Sequence, residues 1–243
     1  MFSDELNHAS IVDGCRLAAR AGARVTTFRH SDMGHLQALL AASDSSSRKL
    51  IVSDTLFSMD GDWAHVTQLR RLADQHGALL VLDDAHATLV SPGEHHGQGA
   101  HIHVGTLSKA VGALGGFVAC STPVKVLLIS RARGQVYSTA LPLPVVAAAQ
   151  AALTAAAAEP ERAAALWDRV RQLQRLTGLA CTSPIVAIHI GDEQKALDAA
   201  AGLLTRGFHV PAIRPPTVPP VRALGVSQGC LPLQCPSRQH ASV

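Results

Sequence analysis

The stretch DWAHVTQLRRLADQHGALLVLDDAH (62–86) carries the alternation that decides the fold. Val66, Leu69, Leu72 and Ala73 recur at helical spacing and so share one helix face. Asp62 is placed to cap that helix and Gly77 to end it. ALLVL (78–82) follows at once, a short apolar run of the kind found in strands covered on both faces. A helix feeding directly into a buried strand predicts a parallel sheet with right-handed crossovers. In such sheets, ligands bind beyond the carboxyl ends of the strands. Asp83 and His86 stand just past one such end. A carboxylate there can hold a proton on a ring nitrogen, and an imidazole can bond a ring hydroxyl. Equally, both can cap the next loop or helix.

The same alternation runs upstream. Ser10 with Asp13 reads as a capping box for a helix over IVDGCRLAARAG (11–22), with Gly22 at its end. ARVTTF (23–28) is β-like, HLQALLAA (35–42) helical, and KLIVS (49–53) a buried strand. Downstream the pattern changes. A helical region runs from about 146 to 176 and includes VVAAAQAALTAAAA (145–158), which is too short and too weakly apolar to span a bilayer. SPIVAIHI (183–190), a helix pattern from Asp192 to Arg206, and FHVPAI (208–213) make a second, smaller α/β layer. After Pro220 no period is legible, and residues 221–243 read as a disordered tail. The expected layout is a large domain over 1–145, a connecting helical region over 146–176, and a partial small domain over 177–220.

Composition narrows the classes. With 47% hydrophobic and 16% charged residues, the 243-residue chain can bury a core and is not a disordered segment. Its net charge of +3 comes from dispersed Lys and Arg, so there is no nucleic-acid footprint. Five cysteines without CxxC pairing (Cys15, Cys120, Cys181, Cys230, Cys235) read as reduced thiols of an intracellular protein. MFSDELNHAS lacks the apolar run of a signal peptide, and HASV is not an SKL-type peroxisomal ending, so the expected compartment is the cytosol.

HVGTLSKAVGALGG (103–116) adds a nucleophile. Lys109 lies among Gly105, Gly112, Gly115 and Gly116, with Thr106 and Ser108 just before it. A lysine amine attacks a carbonyl only when unprotonated. Hydroxyls and backbone N–H groups beside it can hold a phosphate, and glycines allow close backbone approach. Ser58, in FSMDGD (57–62), can donate a hydrogen bond at the same sheet edge or simply belong to an Asp60-Gly61 turn. His8, in LNHAS, can stack on a ring or serve a helix cap.

In this order along the chain, the motifs resemble those of the α-oxoamine synthases, pyridoxal-phosphate (PLP) enzymes of the aspartate-aminotransferase fold. The matching stretches are DELNHASIVDG, VSDTLFSMDGD, LLVLDDAHATLV, VGTLSKAVGALGGFVACS, YSTALPLPVVAAA and GFHVPAIRPPTVPP. The resemblance implies a PLP-binding large domain with a mostly parallel sheet, plus a partial small α/β domain. It makes Lys109 the Schiff-base lysine and Asp83 the partner of the pyridine nitrogen. His86 and Ser58 match groups around the cofactor's 3-hydroxyl, and His8 the histidine stacked on its ring. Thr106, with Ser108 beside it, matches a phosphate ligand. Ser138 and Thr139 match a segment that reaches the phosphate of a neighbouring subunit, which implies a homodimer. Arg214 and Thr217 match substrate-side positions. The implied reaction condenses L-alanine with an acyl-CoA, pimeloyl-CoA on this wording, releasing CoA and CO2 in biotin biosynthesis. Sister synthases that use glycine or serine are the alternative.

The chain also departs from the family pattern. A glycine-rich phosphate turn is expected before residue 1, and the substrate-binding arginine expected after RPPTVPP is replaced by VRALGVSQGCLPLQCPSRQ, with Arg222 a weak substitute. SPGEHHGQGAHIHVG (91–105) is shorter than the usual connection, and Leu89 stands where a small or different residue commonly follows DDAH-x-T. These departures predict a chain truncated at both ends and impaired on its own. Two other classes stay open: a non-catalytic partner subunit, and a metal site built from His95, His96, His101 and His103.

Overall fold

The computed structural model describes residues 1–90 and 99–214, and the backbone of 224–228. It divides into two units, Met1–Pro160 and Glu161–Val243, so the boundary falls inside the expected 146–176 helical region.

The first unit is built on a six-stranded sheet in the order β2-β1-β3-β4-β5-β6. Its strands are β1 (Phe2–Asp4), β2 (Thr26–Phe28), β3 (Lys49–Asp54), β4 (Ala78–Asp83), β5 (Ile102–Thr106) and β6 (Gly116–Cys120). The pairings from β2 to β5 are parallel, and only β6 runs antiparallel to its neighbour. Helices α1 (Ala9–Arg20), α2 (Met33–Ala41) and α3 (Val66–Gln75) connect the first four strands. Helices α4 (Thr122–Arg131), α5 (Arg133–Val136) and α6 (Leu143–Ala158) follow the sheet.

The core forms where the helical and strand periods meet. Leu69, Leu72 and Ala73 of α3 pack with Ile51, Leu80 and Leu82 of the sheet, and Phe28, Leu36, Leu40 and Phe57 complete the cluster. Apolar burial on this scale is the main stabilising term of the unit. β4 is not covered on both faces as expected. Leu80 and Leu82 are fully buried, whereas Leu79, on the opposite face, is 43% exposed.

Two expected caps are also corrected. Ser10 does not cap α1; His8 does, its ring accepting a hydrogen bond from the Ser10 amide. Asp62 does not cap α3, whose N-cap is His65 without a side-chain bond; Asp62 instead bonds His30.

The second unit contains α7 (Glu161–Thr177), β7 (Ile185–His189), α8 (Glu193–Leu204), β8 (Ala212–Ile213) and β9 (Leu224–Gln228). Asp192 caps α8 through the Lys195 amide. β9 lies in the segment expected to be disordered, yet it is the central strand of an antiparallel sheet ordered β7-β9-β8. Neighbouring strands supply the backbone partners that its own sequence pattern does not announce. Among the described residues, no helix is long and apolar enough to cross a membrane.

Candidate active site

Four neighbouring strands, β1, β3, β4 and β5, end at Asp4, Asp54, Asp83 and Thr106. The order reverses at β1, because β2 lies on one side of it and β3 on the other. Such a switch point is where open α/β sheets bind ligands.

Asp54 and Asp83 are register partners in the β3–β4 ladder and so point to the same side of the sheet. The loop after β1 is drawn onto them. The Asn7 side chain donates to Ser3 Oγ and the Val52 carbonyl and accepts the Asp54 amide, all at 2.8–2.9 Å. The His8 amide donates to Asp54 Oδ2 at 2.7 Å. Asp83 Oδ1 accepts the Ala85 amide at 2.9 Å, which starts the turn leading to His86.

The charges converge on this edge. Burial pushes the Asp54 carboxyl up to about 7; nearby Asp83 and Asp4 add to the rise, while the His8 amide and Lys109 oppose it. The His86 imidazole is lowered to about 4, first by burial and then by the charges of Lys109 and His8. Lys109 therefore acts on both Asp54 and His86, although it lies beyond β5 in an exposed loop. Asp83, His86, His8 and Lys109, expected from sequence, are brought to one edge with Asp54, which was not expected.

The hydroxyls beside Lys109 are organised too. Thr106 Oγ1 and Ser108 Oγ are 2.7 Å apart, and the Ser108 amide donates to Thr106 Oγ1 at 3.2 Å. The loop closes through Gly112 N–H to the Lys109 carbonyl and Leu107 N–H to the Gly115 carbonyl, both 2.9 Å. Gly115 has φ +115, and a Cβ there would lie 2.6 Å from Leu141. Ser58 sits half-buried in a turn after β3, closed by Gly61 N–H to the Phe57 carbonyl at 2.9 Å. This donor set suits a flat ring with one basic nitrogen and a phosphate: a carboxylate, an amine, imidazoles, and hydroxyls with an N–H.

Other expected positions stand apart. Ser138 and Thr139 are exposed after α5. Arg214, in the second unit, donates to Glu193 at 3.3 Å. Thr217 and Arg222 lie outside the described residues, as do His95 and His96. Of the remaining histidines proposed for a metal, His101 Nδ1 accepts the Leu80 amide at 3.0 Å and His103 Nδ1 bonds Asp84 at 2.8 Å.

A second network was not anticipated. His30, after β2, bonds Asp4 Oδ1 through Nδ1 and Asp62 Oδ2 through Nε2, each at 2.9 Å. Its partners lie far along the chain, so no local motif announces it.

A mostly parallel sheet, with a lysine, paired carboxylates and imidazoles at its carboxyl edge, makes the first unit an α/β domain with a ligand-binding edge. The chain belongs to the aminotransferase class I and II family, which matches residues 1–235. The 8-amino-7-oxononanoate synthase of Arabidopsis thaliana is 50% identical over 230 residues, covering 90% of this chain and 48% of that enzyme. The chain thus spans about half the length of this curated relative. A serine palmitoyltransferase from S. paucimobilis with a bound PLP-myriocin aldimine superposes with a TM-score of 0.86 at 29% identity, covering 96% of this chain and 63% of the other. The 8-amino-7-oxononanoate synthase of Francisella tularensis superposes with a TM-score of 0.73 at 25% identity, covering 93% and 68%.

Proposed function

We propose that this chain carries the PLP site of an acyltransferase that condenses L-alanine with pimeloyl-CoA to 8-amino-7-oxononanoate, CoA and CO2. The observation that carries the reading is the convergence of Lys109, Asp83 and His86 on one strand edge, with the Thr106–Ser108 pair beside the lysine. The 50% identity to the Arabidopsis thaliana synthase supports the choice of reaction.

When bound, PLP supplies an electron sink for charge developing at the amino acid's α-carbon. The residues do the rest. Asp83 would hold a proton on the ring nitrogen, His8 would stack on the ring, and Ser58 and His86 would bond its hydroxyl. His86, kept neutral to about pH 4, can donate from one nitrogen and accept at the other. Thr106 and Ser108 would hold the phosphate, and Lys109 Nζ would hold the cofactor and, as a free amine, would be the base for the substrate's α-proton. Ser138 and Thr139 serve the phosphate of a second copy in a homodimer, and Arg214 and Thr217 serve the substrate. A cytosolic setting belongs to the same proposal.

The test is the visible absorbance of the purified chain after PLP is added and the excess removed, with Lys109→Ala as control. A retained band that the variant lacks is expected, followed by turnover of alanine and pimeloyl-CoA in preference to glycine or serine with other acyl-CoAs. No lysine-dependent band overturns the reading. A band with glycine or serine preferred moves it to a sister synthase. A band without turnover moves it to a cofactor-holding partner subunit.

A further inference from the structure

Three loops at the carboxyl edge of the sheet meet on His30. Its Nδ1 bonds Asp4 Oδ1, at the end of β1. Asp4 in turn accepts the Leu6 and Ser31 amides at 2.9 Å, and its carbonyl accepts the Asn7 amide at 3.3 Å. Asp4 therefore shapes the turn that delivers Asn7 and His8. His30 Nε2 bonds Asp62 Oδ2, at the far end of the turn that carries Ser58. The Asp62 carbonyl accepts the Phe57 amide at 3.0 Å, so Asp62 and Phe57 close that turn together. The His30 ring also meets the Phe57 ring edge-on, at 4.5 Å between centroids and 85° between planes. The His30 amide completes the junction by donating to Glu5 at 2.8 Å.

The two sides are held unequally. The Asp4 carboxylate has several partners and a side chain 2% exposed. Asp62 Oδ1 is buried with no hydrogen-bond partner, so the hold on this carboxylate runs through Oδ2 and His30. Without the ring, the Ser58 turn would lose both an ion pair and an aromatic contact. The β1 turn would lose one of three donors on Asp4.

We propose that His30 is a positioning residue of the cofactor site: by bridging Asp4 and Asp62 it fixes the loops carrying His8 and Ser58 relative to each other, without itself touching the cofactor. The inference rests on the PLP reading above. It adds a part that the ring-contacting residues do not supply, namely a rigid frame between them.

The experiment is a double-mutant cycle on PLP affinity, read by absorbance titration of the full chain. Its variants are His30→Gln, Ser58→Ala and the pair. Glutamine cannot bridge two carboxylates as an imidazolium does. His30→Gln is expected to weaken PLP binding about tenfold, equivalent to ~1.4 kcal/mol. Because His30 acts through Ser58, the double variant should be little worse than His30→Gln alone. Independent, multiplying effects overturn the proposal, as does unchanged affinity in His30→Gln. A merely structural role lowers stability without producing this coupling. If His30→Gln does not fold, Asp62→Asn replaces it in the cycle, and the same two outcomes decide. Hydrogen exchange at the Phe57, Gly61 and Asn7 amides, without cofactor, separates the two readings. Faster exchange in both loops of the variant, in a chain that gives no lysine-dependent band, keeps the frame and removes the PLP reading. Unchanged exchange removes the frame.

Discussion

Asp54 and Asp83 stand side by side at the carboxyl ends of β3 and β4, register partners in a parallel ladder. Burial lifts Asp54, which is 5% exposed, from an ordinary 3.8 to about 7, and the neighbouring Asp83 charge adds to the rise. The folded chain therefore keeps a proton on Asp54 that the unfolded chain gives up. Stability from this group is fully present below pH about 4 and is lost as pH rises through about 7. Asp54→Asn keeps an oxygen for the His8 amide and removes the titration. Its stability should stay level across that window, so its standing relative to wild type should improve steadily from pH 4 to pH 8. Urea unfolding at pH 4, 6 and 8 checks this; parallel pH profiles for the two proteins would refute it.

His86 shifts in the opposite sense for a base. Burial, then Lys109, then His8 lower its imidazole to about 4. As pH falls below 6.5 the unfolded chain takes up a proton that the folded chain refuses, so stability declines from pH 6.5 toward 4. In Lys109→Ala one of the two charges is gone. The His86 resonance, followed by NMR, should then titrate at higher pH than in wild type. An unmoved midpoint would mean that Lys109 does not stand close enough to act on His86.

His30 moves the other way. Burial lowers its imidazole, but the hydrogen bonds to Asp4 and Asp62, with their charges, outweigh it and lift the group to about 10. A raised histidine contributes stability that is fully present below about 6.5 and lost as pH climbs through about 10. At pH 7, His30→Gln should cost ~1–3 kcal/mol, the range for losing a partner of a charged, partly buried group. The gap between the two proteins should narrow between pH 7 and about 10.5. A constant gap in thermal unfolding across that range would mean that the ring stabilises by packing on Phe57 rather than by charge.

The sequence made some of this legible and not the rest, and the division has a physical cause. α3 carries a helical period because it buries one face, and β3 and β4 stand out as short apolar runs, β3 buried along nearly its whole length and β4 mainly on one face. β1 is only Phe2–Asp4, too short for a period, although it is an interior strand of the sheet, paired on both sides. β6 pairs antiparallel with β5, and Phe117 lies over Gly105, where a Cβ would meet the ring at 2.2 Å. That pairing is a long-range choice invisible in GFVAC alone. Lys109, Asp83 and His86 were legible because strand ends are where such folds place ligands. Asn7, Asp54 and His30 were not, because their partners lie 26 to 47 residues away. α1 shows the limit of a motif: Ser10 and Asp13 fit a capping box, but His8 is the cap, because Asp54 holds its amide just outside the helix.

Leu89 offers a test of stored strain. It follows DDAHAT and adopts φ +63, the left-handed region, which a branched apolar side chain disfavours by ~1–2 kcal/mol. The turn before it is held by its own bonds: Thr88 Oγ1 donates to the Asp84 carbonyl at 2.7 Å, and Ala87 N–H to the same carbonyl at 3.0 Å. Leu89 directly follows this bonded turn. Its side chain offsets little, being 40% exposed. Leu89→Gly removes the steric cost, at an entropic penalty of roughly 0.5–1 kcal/mol in the unfolded chain. The net change should be a gain of about 0.5–1 kcal/mol. Leu89→Asn, which tolerates this region with less entropy to lose, should gain at least as much. Both should raise the urea midpoint at an unchanged m-value. PLP affinity should hold, because the bonds that shape the His86 turn do not involve the Leu89 side chain. A loss of stability in both variants would mean that Leu89 packs against more than its exposure suggests, and that the turn depends on the side chain rather than merely tolerating it.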